Sequence, residues 1–286
     1  MESTLAAKLE KNKFFMSVRK FLMSKLCVFI QLLISIGIII IRYNGDDMPI
    51  VYGVVGFVLL EAVILFFCDD IIATTPPFMF ISTIAIKCYD SFDLYIKFWW
   101  MAIPIAAALI FHFVVYRRKL IIGKLLYPYI AVAAAVTLGG VGIISLKDYF
   151  NGTSLYYTVG LGVGMLFMYI LLSTHLHTSK LYNLRIRISY IMMATGILCS
   201  FMVFFQYFMY RDIVISEFRI IYMQWRNNVS TILMLVLPFP FYISTRKYPY
   251  FFLGLIEYAA ILLSGSRGGA MFGTIEFALC IIVLVY

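Results

Sequence analysis

Charged side chains are scarce in this sequence. Only 13% of its 286 residues are charged and 63% are hydrophobic, whereas soluble domains carry roughly a quarter charged residues. Apolar runs recur along the whole chain, and a helix needs a run of about 20 apolar residues to cross a bilayer. The shortage of charge excludes a soluble domain of any size. The apolar runs predict an all-α polytopic membrane protein.

Signatures of nucleotide, dinucleotide and metal sites are absent as well. The sequence has no P-loop, no Rossmann glycine pattern and no metal-ligand spacing. Its five cysteines form no CxxC pair and lie in or beside apolar runs, which is typical of small membrane-embedded hydrophobes. We therefore expect neither a metal nor another cofactor. The net charge of +9 comes from basic residues scattered among short loops, a topological pattern that argues against nucleic acid as a partner.

Ten apolar runs can be distinguished, of which one is weaker than the rest. The weaker run, 71–88, follows Asp69-Asp70 and contains Pro76-Pro77. Membrane helices tolerate proline where neighbouring groups satisfy the freed carbonyls, so a span is predicted here, with a re-entrant hairpin as the alternative. The nine clear runs are 26–42, 50–68, 94–115, 121–145, 154–173, 188–210, 228–244, 251–264 and 269–286.

The distribution of basic residues favours ten transmembrane helices with a cytoplasmic N-terminus. With ten spans, 15 Lys and Arg residues fall on the cytoplasmic side and 8 on the outer side. If 71–88 does not cross, the counts become 13 and 10, and Arg117-Arg118-Lys119 moves outside. Cytoplasmic loops are enriched in basic residues. The ten-span topology puts Ser264–Gly269 on the outer face and makes 210–227 the longest outer loop.

The chain divides into a short N-terminal segment and a transmembrane domain. In residues 1–25, basic residues alternate with Leu and Phe, which predicts a basic amphipathic segment on the cytoplasmic leaflet. No small-residue cleavage site follows the first apolar run, so a cleaved signal peptide is not expected. Residues 26–286 form the predicted transmembrane helical domain.

The Ser264–Gly269 turn joins two apolar runs with almost no loop. Ser266 is placed to cap the following helix, and Gly268-Gly269 allow another backbone or a ligand to approach closely. Arg267 then stands at a helix N-terminus, where its fork of donors and the helix dipole suit a diphosphate in the head-group layer. The alternative is an interfacial arginine that anchors the helix end to lipid phosphates.

A second arginine is predicted at the same level. Arg226, in the sequence Gln224–Asn228, precedes the run 228–244, and the chain then returns through 251–264 to the turn. Two arginines at one level make a stronger anion site than either alone. Anchoring by Arg226 together with the neighbouring tryptophan is the alternative.

Three carboxylates fall inside apolar runs, where a functional role is the first hypothesis because burial of charge in a membrane is costly. They are expected to find basic or polar partners in other spans, and a secondary transporter would use them as proton sites. These residues are Glu61, Glu257 and Glu276. The histidines fall toward the cytoplasmic side: His112 near the end of its span, and His175 and His177 in a basic loop.

The sequence LLSGSRGG at the outer end of the ninth run, together with the segment from Asn228 to Pro238, resembles the start of the conserved region of the O-antigen ligase and polymerase superfamily. The match covers 228–286. The resemblance implies a bacterial inner-membrane enzyme that uses an undecaprenyl-diphosphate-linked glycan as donor and an acceptor glycan or glycolipid. It implies inverting glycosyl transfer without a metal, with arginine stabilising the leaving diphosphate.

By position, Arg267 matches the motif arginine and is predicted to act catalytically and to contact the diphosphate. The rest of the predicted diphosphate site is Arg226, Asn228, Ser264, Ser266 and Gly268. In the family, an outer loop after the motif supplies a second arginine and a histidine, and this sequence lacks it. Because the last run stops at Tyr286 inside apolar sequence, we expect a longer parent protein. The alternatives are a secondary transporter, a lipid-linked glycan flippase or an inactive fragment of the enzyme.

Overall fold

The computed structural model describes residues 4–42, 48–84, 97–144, 152–179, 181, 183–212 and 226–285. Helix is the dominant secondary structure in these ranges, which contain no strand, so the predicted all-α fold is confirmed. Each of the ten apolar runs is helical over most of its described length.

The helices are, in chain order, α1 (Thr4–Lys11), α2 (Lys13–Leu22), α3 (Lys25–Arg42), α4 (Met48–Phe67), α5 (Thr75–Ile84), α6 (Ala102–Val115), α7 (Leu126–Ile144), α8 (Gly152–Thr178), α9 (Leu184–Met209), α10 (Arg226–Val236), α11 (Pro238–Ser244), α12 (Tyr250–Leu263) and α13 (Arg267–Val285). Short 3-10 turns at Ile71–Thr74 and Trp99–Met101 precede α5 and α6.

Helix α9 is the centre of the bundle. It packs against α3, α5, α10, α11 and α12, and its side chains Leu198, Cys199 and Met202 are almost completely buried. A helix that is hydrophobic all round belongs in the interior of a large protein or a membrane bundle. Helices α7 and α8 pack chiefly on each other.

Four helices in the described ranges are long and apolar enough to cross a membrane: Met48–Phe67, Leu184–Met209, Arg226–Ser244 and Arg267–Leu284. A fifth arises if α2 and α3, which are bent by 55° at their junction, count as one span. Four shorter apolar helical segments are Ile71–Ile84, Trp99–Val115, Leu126–Gly139 and Tyr250–Leu263. The last of these, α12, has 14 residues and is about 21 Å long against a hydrocarbon core of about 30 Å. The protein therefore has membrane character, and the ten-span topology stays a prediction.

The weak run 71–88 is helical as far as Ile84, and its last four residues lie outside the described ranges. The proline pair does not interrupt it, because Pro76 and Pro77 occupy the first turn of α5, where backbone N–H groups have no intrahelical partner. Asp70 caps the preceding 3-10 turn by accepting a hydrogen bond from the Ile72 N–H at 3.1 Å.

The N-terminal segment is helical and is packed on the bundle. Phe15 of α2 is buried and lies against the rings of Phe66 and Phe67 at the end of α4. The apolar side of the predicted amphipathic segment is therefore used to pack on the protein, in addition to any contact with the membrane surface.

The bundle has two ends, set by the course of α12. Tyr250, its first residue, contacts the Tyr190 ring near the start of α9, with 5.7 Å between ring centroids. We call this the Tyr250 end. The last residue of α12 leads into the Ser264–Gly269 turn, and α10 begins beside that turn. We call this the Ser264 end.

Candidate functional site

The Ser264–Gly269 turn is held by its own serines. The Ser264 hydroxyl is buried and donates to the Ile261 carbonyl at 2.6 Å. Gly265 has a φ of +72°, a left-handed conformation that glycine adopts without a Cβ penalty. The turn therefore reverses the chain within three residues between α12 and α13.

Ser266 caps α13, as the sequence predicted. Its hydroxyl accepts a hydrogen bond from the Gly269 N–H at 3.1 Å, and its carbonyl accepts one from the Ala270 N–H at 2.8 Å. The same hydroxyl donates to the side-chain oxygen of Asn227 at 2.9 Å. One buried serine thus accepts hydrogen bonds from backbone N–H groups in the first turn of α13 and ties that turn to the start of α10.

The two helix starts meet closely at Gly269. A Cβ at this position would lie 2.4 Å from the Ser230 Cβ and 2.6 Å from the Ser230 hydroxyl oxygen, so only glycine fits without movement. A Cβ on the neighbouring Gly268 would meet nothing within 4 Å. Gly269 is therefore the contact glycine, and Gly268 leaves open space beside Arg267.

The Ser264 end gathers positive charge at one level. Arg267 is exposed and is the first residue of α13, while Arg226 is the first residue of α10. Helix N-termini carry a partial positive charge and unsatisfied N–H donors, which favour anions. Two arginines at two helix starts thus lie beside the turn, Arg267 exposed and Arg226 half-buried, with Asn228 exposed near them.

The structure brings the predicted diphosphate-site residues to one end of the bundle. Arg226 is half-buried there, and the other five residues are of two kinds. The hydroxyls of Ser264 and Ser266 are committed to hydrogen bonds inside the protein, so they position the turn. Arg267, Gly268 and Asn228 are exposed and available to a ligand. Trp225 and the outer-loop residues 213–225 lie outside the described ranges.

Within the described ranges, two of the intramembrane carboxylates, Glu257 and Glu61, have oxygens without the polar partners that were expected. Glu257 is fully buried, and neither carboxylate oxygen has a hydrogen-bond partner in the described ranges. Its side chain fills the space over Gly196 of α9, where a Cβ would lie 2.3 Å from one carboxylate oxygen. One oxygen of Glu61 is likewise buried without a described partner, and Glu276 is half-buried on α13.

The structure contains a buried ionic cluster at the Tyr250 end that was not predicted from the sequence. Asp70, only 2% exposed, accepts a hydrogen bond from the Ser179 hydroxyl at 2.5 Å and lies 3.8 Å from the Arg118 guanidinium. Asp69 pairs with Arg19 of α2, and its carbonyl accepts from Arg118 at 2.6 Å. The cluster joins α2, the α4–α5 junction, the segment after α6 and the end of α8.

His175 borders this cluster as a neutral group, and His112 lies against it with 5.4 Å between ring centroids. The predicted loop position of His175 and His177 is wrong, because α8 continues to Thr178 and His175 is buried in it. His175 lies beyond the predicted span 154–173, and burial together with the Arg118 guanidinium lowers its pKa to about 3. The neutral ring accepts a hydrogen bond from the Ile71 N–H at 3.4 Å. Its 3.8 Å approach to Asp70 is therefore not an ion pair at neutral pH.

The tautomer of His112 follows from its partner. Its Nδ1 lies 3.0 Å from the Leu65 carbonyl, and a carbonyl only accepts, so the proton is on Nδ1. The sequence signal for the cluster was the adjacent Asp69-Asp70 pair at the end of an apolar run. Pairing those carboxylates with Arg19 and Arg118 required the tertiary structure.

No family model, no curated protein and no solved structure matches this chain.

Proposed function

We propose that this chain belongs to a membrane glycan polymerase or ligase of the O-antigen, capsule or exopolysaccharide type. It transfers an undecaprenyl-diphosphate-linked glycan to an acceptor sugar on the outer face of the bacterial inner membrane. The observation that carries the proposal is the Ser264 end of the bundle. There Ser266 ties the starts of α10 and α13 together and leaves Arg267 exposed at a helix N-terminus.

The chemistry needs a stabilised leaving group. An acceptor hydroxyl attacks the anomeric carbon, the bond from that carbon to the diphosphate oxygen breaks, and the hydroxyl proton passes to a general base. Undecaprenyl diphosphate leaves with an additional negative charge. Arg267 offers two parallel N–H donors to the diphosphate oxygens, and donors fixed in advance where charge develops lower the barrier. Arg226 adds a second cation at the same level.

The topology proposed with this function has ten spans and a cytoplasmic N-terminus. The excess of basic residues on the cytoplasmic side supports it, and it puts the Arg267 turn where the lipid-linked donor is presented. Cysteine accessibility at Gly268→Cys tests the orientation, because Gly268 is exposed in the same turn and a Cβ there meets nothing within 4 Å. Labelling by a membrane-impermeant maleimide from the outer side is expected, and labelling only from the cytoplasm would reverse the topology.

The function is tested by Arg267→Ala in the native host, with the protein expressed from its own gene. Long-chain surface glycan should be lost while the amount of protein in the membrane is unchanged. Arg246→Ala is the matched control, because Arg246 is an exposed arginine at the opposite end of the bundle. Unchanged glycan length in Arg267→Ala would refute the role assigned to this arginine.

A second function, proton-coupled transport or flipping of a lipid-linked glycan, is favoured by one observation. Glu257 is a buried carboxyl with no hydrogen-bond partner in the described ranges, which is what a reversible proton site inside a membrane would need. Glu257→Gln keeps the shape and removes the titration. A transporter would lose activity in this variant, whereas the glycan transferase proposed above would keep its product length.

A further inference from the structure

A lateral groove lies at the Tyr250 end, on the opposite end of α12 from Arg267. It has a volume of about 630 Å³ and is open to the outside, within the range of about 300–1,000 Å³ usual for ligand sites. Its walls are the starts of α3 and α9, and its floor is the bend between α2 and α3. We call it the elbow groove.

The end of the elbow groove nearest the bend is polar and positively charged. Lys25 and Arg187 are the charged side chains among its described lining residues, and none of those residues is acidic. The Lys25 ammonium lies 3.9 Å from the centroid of the Tyr190 ring, a cation–π contact that holds it at the groove mouth. The nearby carboxylate of Asp70 is already engaged by Arg118 and Ser179.

The rest of the elbow groove is apolar and extends in one direction. From Lys25 the α3 wall continues through Val28 to Leu32, and from Arg187 the α9 wall continues to Ile197. Ten residues of helix between Arg187 and Ile197 span about 15 Å. This is about half of a hydrocarbon core of about 30 Å, which is the depth of one leaflet.

We propose that the elbow groove binds one anionic phospholipid of the leaflet in which α2 lies. Its phosphate is held by Lys25 and Arg187, and one acyl chain lies along the apolar walls. Positive charge at the head-group level attracts anionic lipids, and a guanidinium matches phosphate oxygens bidentately. This site is distinct from the proposed diphosphate site, since α12, about 21 Å long, separates the two ends.

The test is lipid-dependent thermal stability and affinity of the purified protein. Phosphatidylglycerol and phosphatidylcholine with the same acyl chains are titrated into detergent-solubilised protein. Phosphatidylglycerol should raise the melting temperature more than phosphatidylcholine does. In the double variant Lys25→Gln, Arg187→Gln its affinity should fall about 30-fold, from about fivefold for each basic residue removed. Soluble glycerol phosphate should have no effect, because it lacks the acyl chain.

The matched control is Arg185→Gln, which removes an exposed arginine two residues away that does not line the groove. It should keep the affinity of the wild type. Equal stabilisation by the two lipids, an unchanged affinity in the double variant, or an equal loss in Arg185→Gln would each overturn the proposal. If the double variant does not fold, Lys25→Gln alone is used, because Lys25 is exposed, and it should lose about fivefold.

Discussion

The contact between the starts of α10 and α13 can be tested by comparing two adjacent glycines, Gly268 and Gly269. Both lie in the first turn of α13, and they differ in what surrounds them. In Gly269→Ala the new Cβ would lie 2.4 Å from the Ser230 Cβ, an atom bonded directly to the backbone that cannot rotate away. In Gly268→Ala the new Cβ meets nothing within 4 Å. Both variants gain helix propensity of up to about 1 kcal/mol, so this term cancels between them.

The difference in unfolding free energy between the two variants therefore isolates overpacking, which costs about 1–3 kcal/mol. Thermal unfolding of the two purified proteins in the same detergent measures it. At roughly 2–4 °C per kcal/mol for a chain of this size class, Gly269→Ala should melt several degrees below Gly268→Ala. A melting temperature of Gly269→Ala equal to or above that of Gly268→Ala would refute the close contact at the turn.

Three further predictions concern the buried polar groups. Asp70→Asn should destabilise the protein by about 1.5–3 kcal/mol, since the buried Arg118 then loses one of its two neighbouring carboxylates, whereas Asp212→Asn at an exposed site should change stability little; chemical denaturation distinguishes them. Gly196→Ala should be destabilising because its Cβ meets the Glu257 carboxylate, and adding Glu257→Ala should restore part of the loss; a double variant no better than Gly196→Ala contradicts that contact. Because the pKa of His175 is lowered to about 3 from an unfolded value near 6.5, the unfolded state binds more protons between these values, and stability should fall as the pH drops below about 6.5. Replacing His175 with Gln should flatten that part of the pH profile.

The helices and the turn were predictable because their causes are local. A run of apolar residues is enough to indicate a membrane helix, and a serine followed by a helical run is enough to indicate the cap that Ser266 makes. The Pro76-Pro77 pair was the ambiguous case. Its outcome depended on where the helix begins: α5 begins at Thr75, so both prolines fall in its first turn.

The partners of the polar groups were not predictable, because they come from segments far apart in the chain. Arg118 and Asp69 are 49 residues apart, and Ser266 and Asn227 are 39 apart. The expectation that Glu257 would find a polar partner was wrong within the described ranges, since its side chain faces Gly196. A glycine such as Gly196 makes room for a side chain from another helix, but the sequence does not indicate which side chain that is.

The glycosyl transfer proposed for the Ser264 end is tested most directly with purified components. The protein, expressed from its own gene and reconstituted in nanodiscs, is given an undecaprenyl-diphosphate-linked glycan and an acceptor glycan, and release of undecaprenyl diphosphate is followed by mass spectrometry. The account predicts acceptor-dependent release by the wild type and its loss, by about 100-fold or more, in Arg267→Ala, with Arg246→Ala unaffected. Release that continues at the wild-type rate in Arg267→Ala would contradict it.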